Sequence, residues 1–178
     1  MHLTTRLALV LIFACSALTI HCSRSGGSLG IDADMERELL DLPSEEIGDL
    51  DTESRNISLS KLKGKVVVLN FWGSWCGPCR YETPDLVEMH KELKDKGLEV
   101  LAINYGDDKE SALAFMGKYQ IKYSVIFDRG YTDLYSVNSF PTNIVIDRRG
   151  RIRYRLEGFS PSAMGLLRRI VEYLLAQS

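Results

Sequence analysis

The stretch Val66-Val67-Val68-Leu69-Asn70-Phe71-Trp72-Gly73-Ser74-Trp75-Cys76-Gly77-Pro78-Cys79 decides the fold. Its first seven residues are almost continuously apolar and rich in β-formers, the pattern of a central strand covered on both faces. Soon afterwards the chain reaches Cys76, and Pro78 suits the first turn of a helix, where a missing N–H costs nothing. Leu86, Met89, His90 and Leu93 continue that helix at i, i+3, i+4 and i+7, Pro84 falls inside it, and Gly97 stops it.

Working outward, Leu98 to Asn104 reads as the next strand. Ala112, Phe115, Met116 and Tyr119 mark a second helix, Ser124 to Phe127 a short strand, and Thr142 to Asp147 another apolar β run. Asp147-Arg148-Arg149-Gly150 predicts a hairpin turn, with Gly where φ must be positive, leading to an antiparallel partner over Arg151 to Glu157. Ser160-Pro161 predicts the cap of a last helix, whose Leu166/Leu167, Ile170/Val171 and Leu174/Leu175 pairs recur every four residues. The order β-α-β-α-β-hairpin-α predicts an α/β fold, a central mixed sheet flanked by helices on both faces. Residues 29 to about 60 hold many acids and few large apolar side chains, and predict an extended lead-in with a short edge strand or hairpin.

The chain has 178 residues, 45% hydrophobic and 26% charged, which fits one globular domain. With 22 Lys and Arg against 24 Asp and Glu, it has no basic excess for a phosphate backbone to exploit, so no nucleic-acid partner is expected. Leu7 to Ile20 is a 14-residue apolar stretch after one Arg, too short to span a bilayer comfortably and without a polar helical face. Residues 1–21 therefore predict an export signal or membrane anchor, residues 22–56 a linker and lead-in, and residues 57–178 the folded domain. Removing residues 1–21 takes away Arg6 and no acid, so the net charge goes from −2 to −3, and only His90 remains as a histidine. That excludes a multi-histidine metal site.

The four cysteines divide into two problems. Cys15 and Cys22 belong to the N-terminal segment, while Cys76 and Cys79 stand at i and i+3 where a strand ends and a helix begins, on one face and within disulfide reach. At the helix N-terminus, unpaired N–H groups and the positive dipole end favour the Cys76 thiolate, which makes Cys76 the candidate nucleophile. Cys79, deeper in the helix, is then the resolving thiol. Gly77 and Pro78 keep the loop tight. Zinc needs a second ligand pair, and His90 lies about 21 Å along the same helix at 1.5 Å per residue. A structural disulfide closing so short a loop would restrain almost no chain entropy. Redox chemistry is the reading that remains, with no cofactor besides the Cys76/Cys79 disulfide and no metal.

Taken together, Ile57 to Lys65, Asn70-Phe71-Trp72-Gly73-Ser74-Trp75-Cys76-Gly77-Pro78-Cys79-Arg80, Glu82, Pro84 and Phe140-Pro141-Thr142 resemble the thioredoxin superfamily, more narrowly its exported, membrane-tethered TlpA/ResA-like (DsbE/CcmG-like) thiol-disulfide oxidoreductases. The resemblance covers about residues 57–175. It implies a cis Phe140–Pro141 bond beside the cysteines, with the backbone of residue 140 pairing with a substrate strand, and it makes Trp75, Gly77, Pro78, Phe140 and Pro141 the active-site and substrate-binding residues. Asn70 stands where cytosolic thioredoxins carry a buried Asp. In the TlpA/ResA branch an acid after the next strand serves the site; the matching residue is Asp107, a candidate proton shuttle for Cys79. Asp107-x-x-Glu110 is equally a capping box for the second helix. An apolar run ending at Cys before the spacer Ser23 to Ser28 resembles a lipoprotein signal, although His21 stands where that pattern has a small residue. Lipidation at Cys22, an uncleaved anchor, and cleavage near Ala17 are the three outcomes, each placing the domain on the extracytoplasmic side of a bacterial membrane.

The implied activity is reduction of protein disulfides, with apocytochrome c a typical substrate of such proteins and a membrane thiol-disulfide transporter the electron donor. A disulfide oxidant or isomerase is the alternative within enzymes. A copper-handling module on the same fold is the alternative outside them, although such Sco-like proteins use a wider Cys pair and a distant His.

Overall fold

The computed structural model describes residues 42–43, 50–52, 55–57 and 59–177. The expectations for residues 1–21, for Cys15 and Cys22, and for the spacer lie outside the described residues. Among the described residues there are eight strands: β1 (Leu42–Pro43), β2 (Leu50–Thr52), β3 (Arg55–Ile57), β4 (Val66–Trp72), β5 (Leu98–Asn104), β6 (Ser124–Phe127), β7 (Thr142–Ile146) and β8 (Arg151–Glu157). The described α-helices are α1 (Gly77–Leu93), α2 (Lys109–Tyr119), α3 (Tyr131–Leu134) and α4 (Pro161–Ala176).

Six strands form one mixed sheet in the order β1-β8-β7-β4-β5-β6. β4 lies at its centre, parallel to β5 from Val66↔Leu98 to Trp72↔Asn104, and antiparallel to β7 from Val67↔Ile146 to Phe71↔Thr142. All seven β4 residues are buried, as a continuously apolar central strand requires. The lead-in supplies both features its composition predicts: β1 adds an edge to β8, and β2 and β3 form a separate hairpin.

The strand order explains where the helices lie. β4, β5 and β6 are consecutive parallel neighbours, so two right-handed crossovers stepping in the same direction place α1 and α2 on the same face. α4 joins them, and Val66, Val68 and Trp72 pack there with Leu86 and Met89 of α1, Phe115 of α2 and Leu167 and Val171 of α4. Val67, Leu69 and Phe71 point to the opposite face, covered by Leu59 of a 3-10 turn and by Tyr135 and Val137 beyond α3. The one-turn α3 leaves no periodic pattern in the sequence; Asp128 organises it by accepting from Thr132 N and Oγ1 at 3.0 Å each.

Local signals act as read. Gly150 adopts φ 81° in the β7–β8 turn, and Ser160 Oγ accepts from Ala163 N at 3.1 Å at the start of α4. At the pole away from the end of β4, Arg148 donates to the carbonyl oxygens of Gly64 and Leu175, tying the hairpin to the last turn of α4.

Candidate functional site

The site sits at the C-terminal end of β4. Cys76 and Cys79 form a disulfide, with Cα atoms 5.3 Å apart. Cys76 is the N-cap of α1, and its sulfur accepts a hydrogen bond from Cys79 N at 3.2 Å. Once the bond is reduced, that N–H and the helix N-terminus stabilise negative charge on Cys76. Cys79 is 1% exposed and Cys76 4%, so neither sulfur is broadly open, and Cys79 is the deeper. Gly77 and Pro78 lie exposed between them.

The Phe140–Pro141 bond is cis, as the resemblance implies. Phe140 packs against the cluster containing both cysteines. It meets Trp75 edge-on, with ring centroids 5.4 Å apart, and stacks on Tyr105 at 5.1 Å. Pro141 is buried, and its carbonyl accepts from Gly158 N at 2.7 Å, which ties the cis turn to the loop after β8.

Asp107 does not cap α2. Asp108 does, accepting from Ser111 N at 2.7 Å, so the capping-box reading is shifted by one residue. Asp107 instead reaches across to the loop before Cys76: Ser74 N and Ser74 Oγ each donate to it at 2.7 Å, and Asn104 Nδ2 at 2.6 Å. Arg80 forks onto Ser74 O through Nε at 3.1 Å and NH2 at 2.8 Å. Every polar group of Ser74 is therefore held by a charged side chain, and Asp107 is placed as a staple between two loops.

Sequence reading gave Glu82 no role, yet Glu82 is the buried acid of the site. It lies one helical turn below Cys79 on the same face and is 1% exposed. Asn70 Nδ2 donates to its Oε1 at 2.7 Å and Asn143 Nδ2 to its Oε2 at 2.8 Å. Asn70 Nδ2 also donates to Asn143 Oδ1 at 3.0 Å, which closes the triad. Burial pushes the Glu82 carboxyl up to about 7; the two amides pull it down, and Asp85 adds a small upward push. A signal was present: Cys79, Glu82, Leu86, Met89 and Leu93 alternate steps of three and four, so Glu82 stands inside the apolar stripe of its helix.

A buried dithiol pair at a helix N-terminus, beside a carboxyl able to exchange protons near neutrality, can carry thiol-disulfide exchange. The AhpC/TSA family model matches residues 40–155, which contain the whole of this site. The chain belongs to the AhpC/TSA family. Within that family it is a thioredoxin-like thiol-disulfide oxidoreductase. It is 34% identical to the thiol-disulfide oxidoreductase ResA of Bacillus cereus, over 83% of this chain and 88% of that protein. It is 40% identical to ResA of Bacillus subtilis, over 57% of this chain and 58% of the relative. Among solved structures it is similar to a Chlorobium tepidum protein described as thiol:disulfide interchange protein DsbE, with TM-score 0.71, 31% identity, and 76% of this chain and 97% of the other covered. Membership in the AhpC/TSA family thus comes with relatives that share the redox pair's chemistry in their names.

Proposed function

We propose that this protein reduces disulfides in other polypeptides on the extracytoplasmic side of a bacterial membrane, with Cys76 as nucleophile and Cys79 as resolving thiol. The observation that carries the assignment is the Cys79 N–H directed at Cys76 Sγ at 3.2 Å from the first turn of α1. The Cys76 thiolate attacks one sulfur of the substrate disulfide. A Cys76–substrate bond forms, the substrate S–S bond breaks, and one substrate thiolate leaves. Cys79, its proton passing to Glu82, attacks Cys76 Sγ; the Cys76–Cys79 bond forms and the second substrate thiolate leaves with both electrons delivered. The protein ends as the observed disulfide. An external dithiol must return it to the reduced state, and a membrane thiol-disulfide transporter fits that role.

The substrate strand adds to the backbone of residue 140 beside the cis Pro141 turn, and Trp75, Gly77, Pro78 and Phe140 flank it. Asp107 serves the site by holding Ser74. Export is supported by the apolar stretch Leu7 to Ile20, and attachment through a lipid on Cys22 by the Cys and spacer that follow it. Apocytochrome c, whose paired thiols must be reduced before haem attachment, is the substrate to try first. Cys79→Ser incubated with a disulfide-containing polypeptide is expected to accumulate a mixed disulfide at Cys76, seen by non-reducing electrophoresis and mapped by peptide mass. Failure to trap through Cys76, while Cys76→Ser traps through Cys79, would reverse the two roles. Intact mass of the membrane fraction tests acylation of Cys22.

A further inference from the structure

Three aromatic residues from three separate loops meet beside Cys76. Trp75 precedes it, Tyr105 follows β5, and Phe140 precedes the cis Pro141. Trp75 is 52% exposed and Tyr105 42%, and Phe140 is half-buried between them. The Tyr105 ring lies nearly parallel to Phe140, at 21°, whereas Trp75 stands at 75° to it, so the three present ring faces in two orientations.

The arrangement is built in. Trp75 Nε1 donates to Tyr105 O at 3.0 Å, and Tyr105 N donates to Trp72 O at 2.8 Å. The indole lies over Gly73: a Cβ there would fall 2.4 Å from Trp75 Nε1. The hydrogen bonds hold the Trp75 indole and the Tyr105 backbone, and stacking on Phe140 supports the Tyr105 ring, so a partner resting on them finds a largely preorganised surface. Fixed, exposed rings beside a reactive sulfur are an interaction surface continuous with the redox site.

We propose that Trp75, Tyr105 and Phe140 form a platform that favours substrate polypeptides with an aromatic side chain next to the reacting cysteine, and that Tyr105 sets this preference. The inference rests on the polypeptide-disulfide reading above and adds the substrate class. A planar neutral ring suits the site because it can meet one ring face-on and another at its edge. Charge does not select here: the three side chains of the platform are neutral, and Arg80 and Asp107 nearby are both engaged with Ser74.

The test uses the full chain, reduced, with two disulfide peptides differing only in Phe or Ala beside the cysteine, and with hydroxyethyl disulfide as a small substrate. Wild type is expected to favour the Phe peptide in kcat/KM by roughly two- to tenfold, mainly through KM, the range of one aromatic contact. Tyr105→Val removes the ring but keeps both backbone hydrogen bonds. It should abolish the preference while turnover of hydroxyethyl disulfide stays unchanged, and Tyr105→Phe should retain the preference. Equal use of the two peptides by wild type, or full preference in Tyr105→Val, would overturn the proposal. Wild type that reduced hydroxyethyl disulfide but neither peptide would instead overturn the polypeptide reading on which it rests.

Discussion

Asn143 Nδ2 donates to Glu82 Oε2 at 2.8 Å, across 61 residues of sequence and between the strand that begins after the cis proline and the helix that Cys76 caps. Asn143 pairs with Asn70 in the β4–β7 register, so the sheet holds two amides side by side beneath one helical carboxyl. A lone ionised carboxylate in this position would be costly, and the amides reduce that cost without removing it. The acid that results changes protonation near neutral pH.

That shift makes the stability of the oxidised protein depend on pH. The folded Glu82 holds its proton up to about 7, against 4.5 ordinarily, so between those values the native state binds more protons than the unfolded one and stability falls as pH rises. The loss is expected to total about 3 kcal/mol by pH 7.5 and to level off above it. Urea denaturation of wild type and Glu82→Gln from pH 4.5 to 8 checks this: the decline belongs to wild type, and the difference between the two should narrow or reverse across that window. Parallel pH curves would contradict it.

Asn143→Leu removes one of the two donors that favour the charged form of Glu82. The carboxyl should then move further up, carrying the midpoint of the pH-dependent resolving step upward by roughly one unit. The rate of release from a Cys76 mixed disulfide, followed against pH, reads this directly. A merely structural Asn143 would lower stability and leave the midpoint in place.

Asp107 acts through Ser74. Asp107→Ala is expected to cost about 2 kcal/mol of stability and to weaken reduction of a polypeptide disulfide, with the pH midpoint unmoved. Ser74→Ala combined with Asp107→Ala should cost clearly less than the two single changes added, since both remove the same contacts. Loss of the pH-dependent step in Asp107→Asn, with wild-type stability, would make Asp107 a proton carrier instead.

The fold was legible wherever a local pattern matched a burial requirement. β4 read correctly because a strand covered on both faces leaves no room for polar alternation, and Gly150 because the hairpin needs positive φ. The one-turn α3 was not legible, since a single turn has no period and depends on the side chain of Asp128. In the site, Cys76 and Cys79 announced themselves by spacing. Glu82 did not, because Arg80, Asp85 and Glu88 around it suggest a solvated helix, and its partner Asn143 is remote in sequence. Asp107 and Asp108 are adjacent acids that both precede a helix, and only the direction of the loop shows which one caps it and which crosses to Ser74.

In the proposed cycle the Cys76/Cys79 pair works as a reductant. With Gly77 and Pro78 between the cysteines, the proposal puts the pair towards the thioredoxin end of the scale rather than that of a strong oxidant. Equilibrating the protein with dithiothreitol buffers and quantifying free thiols measures the potential of the pair. A value near thioredoxin's, about −270 mV, is expected; one near or above about −150 mV would mark the pair as an oxidant instead.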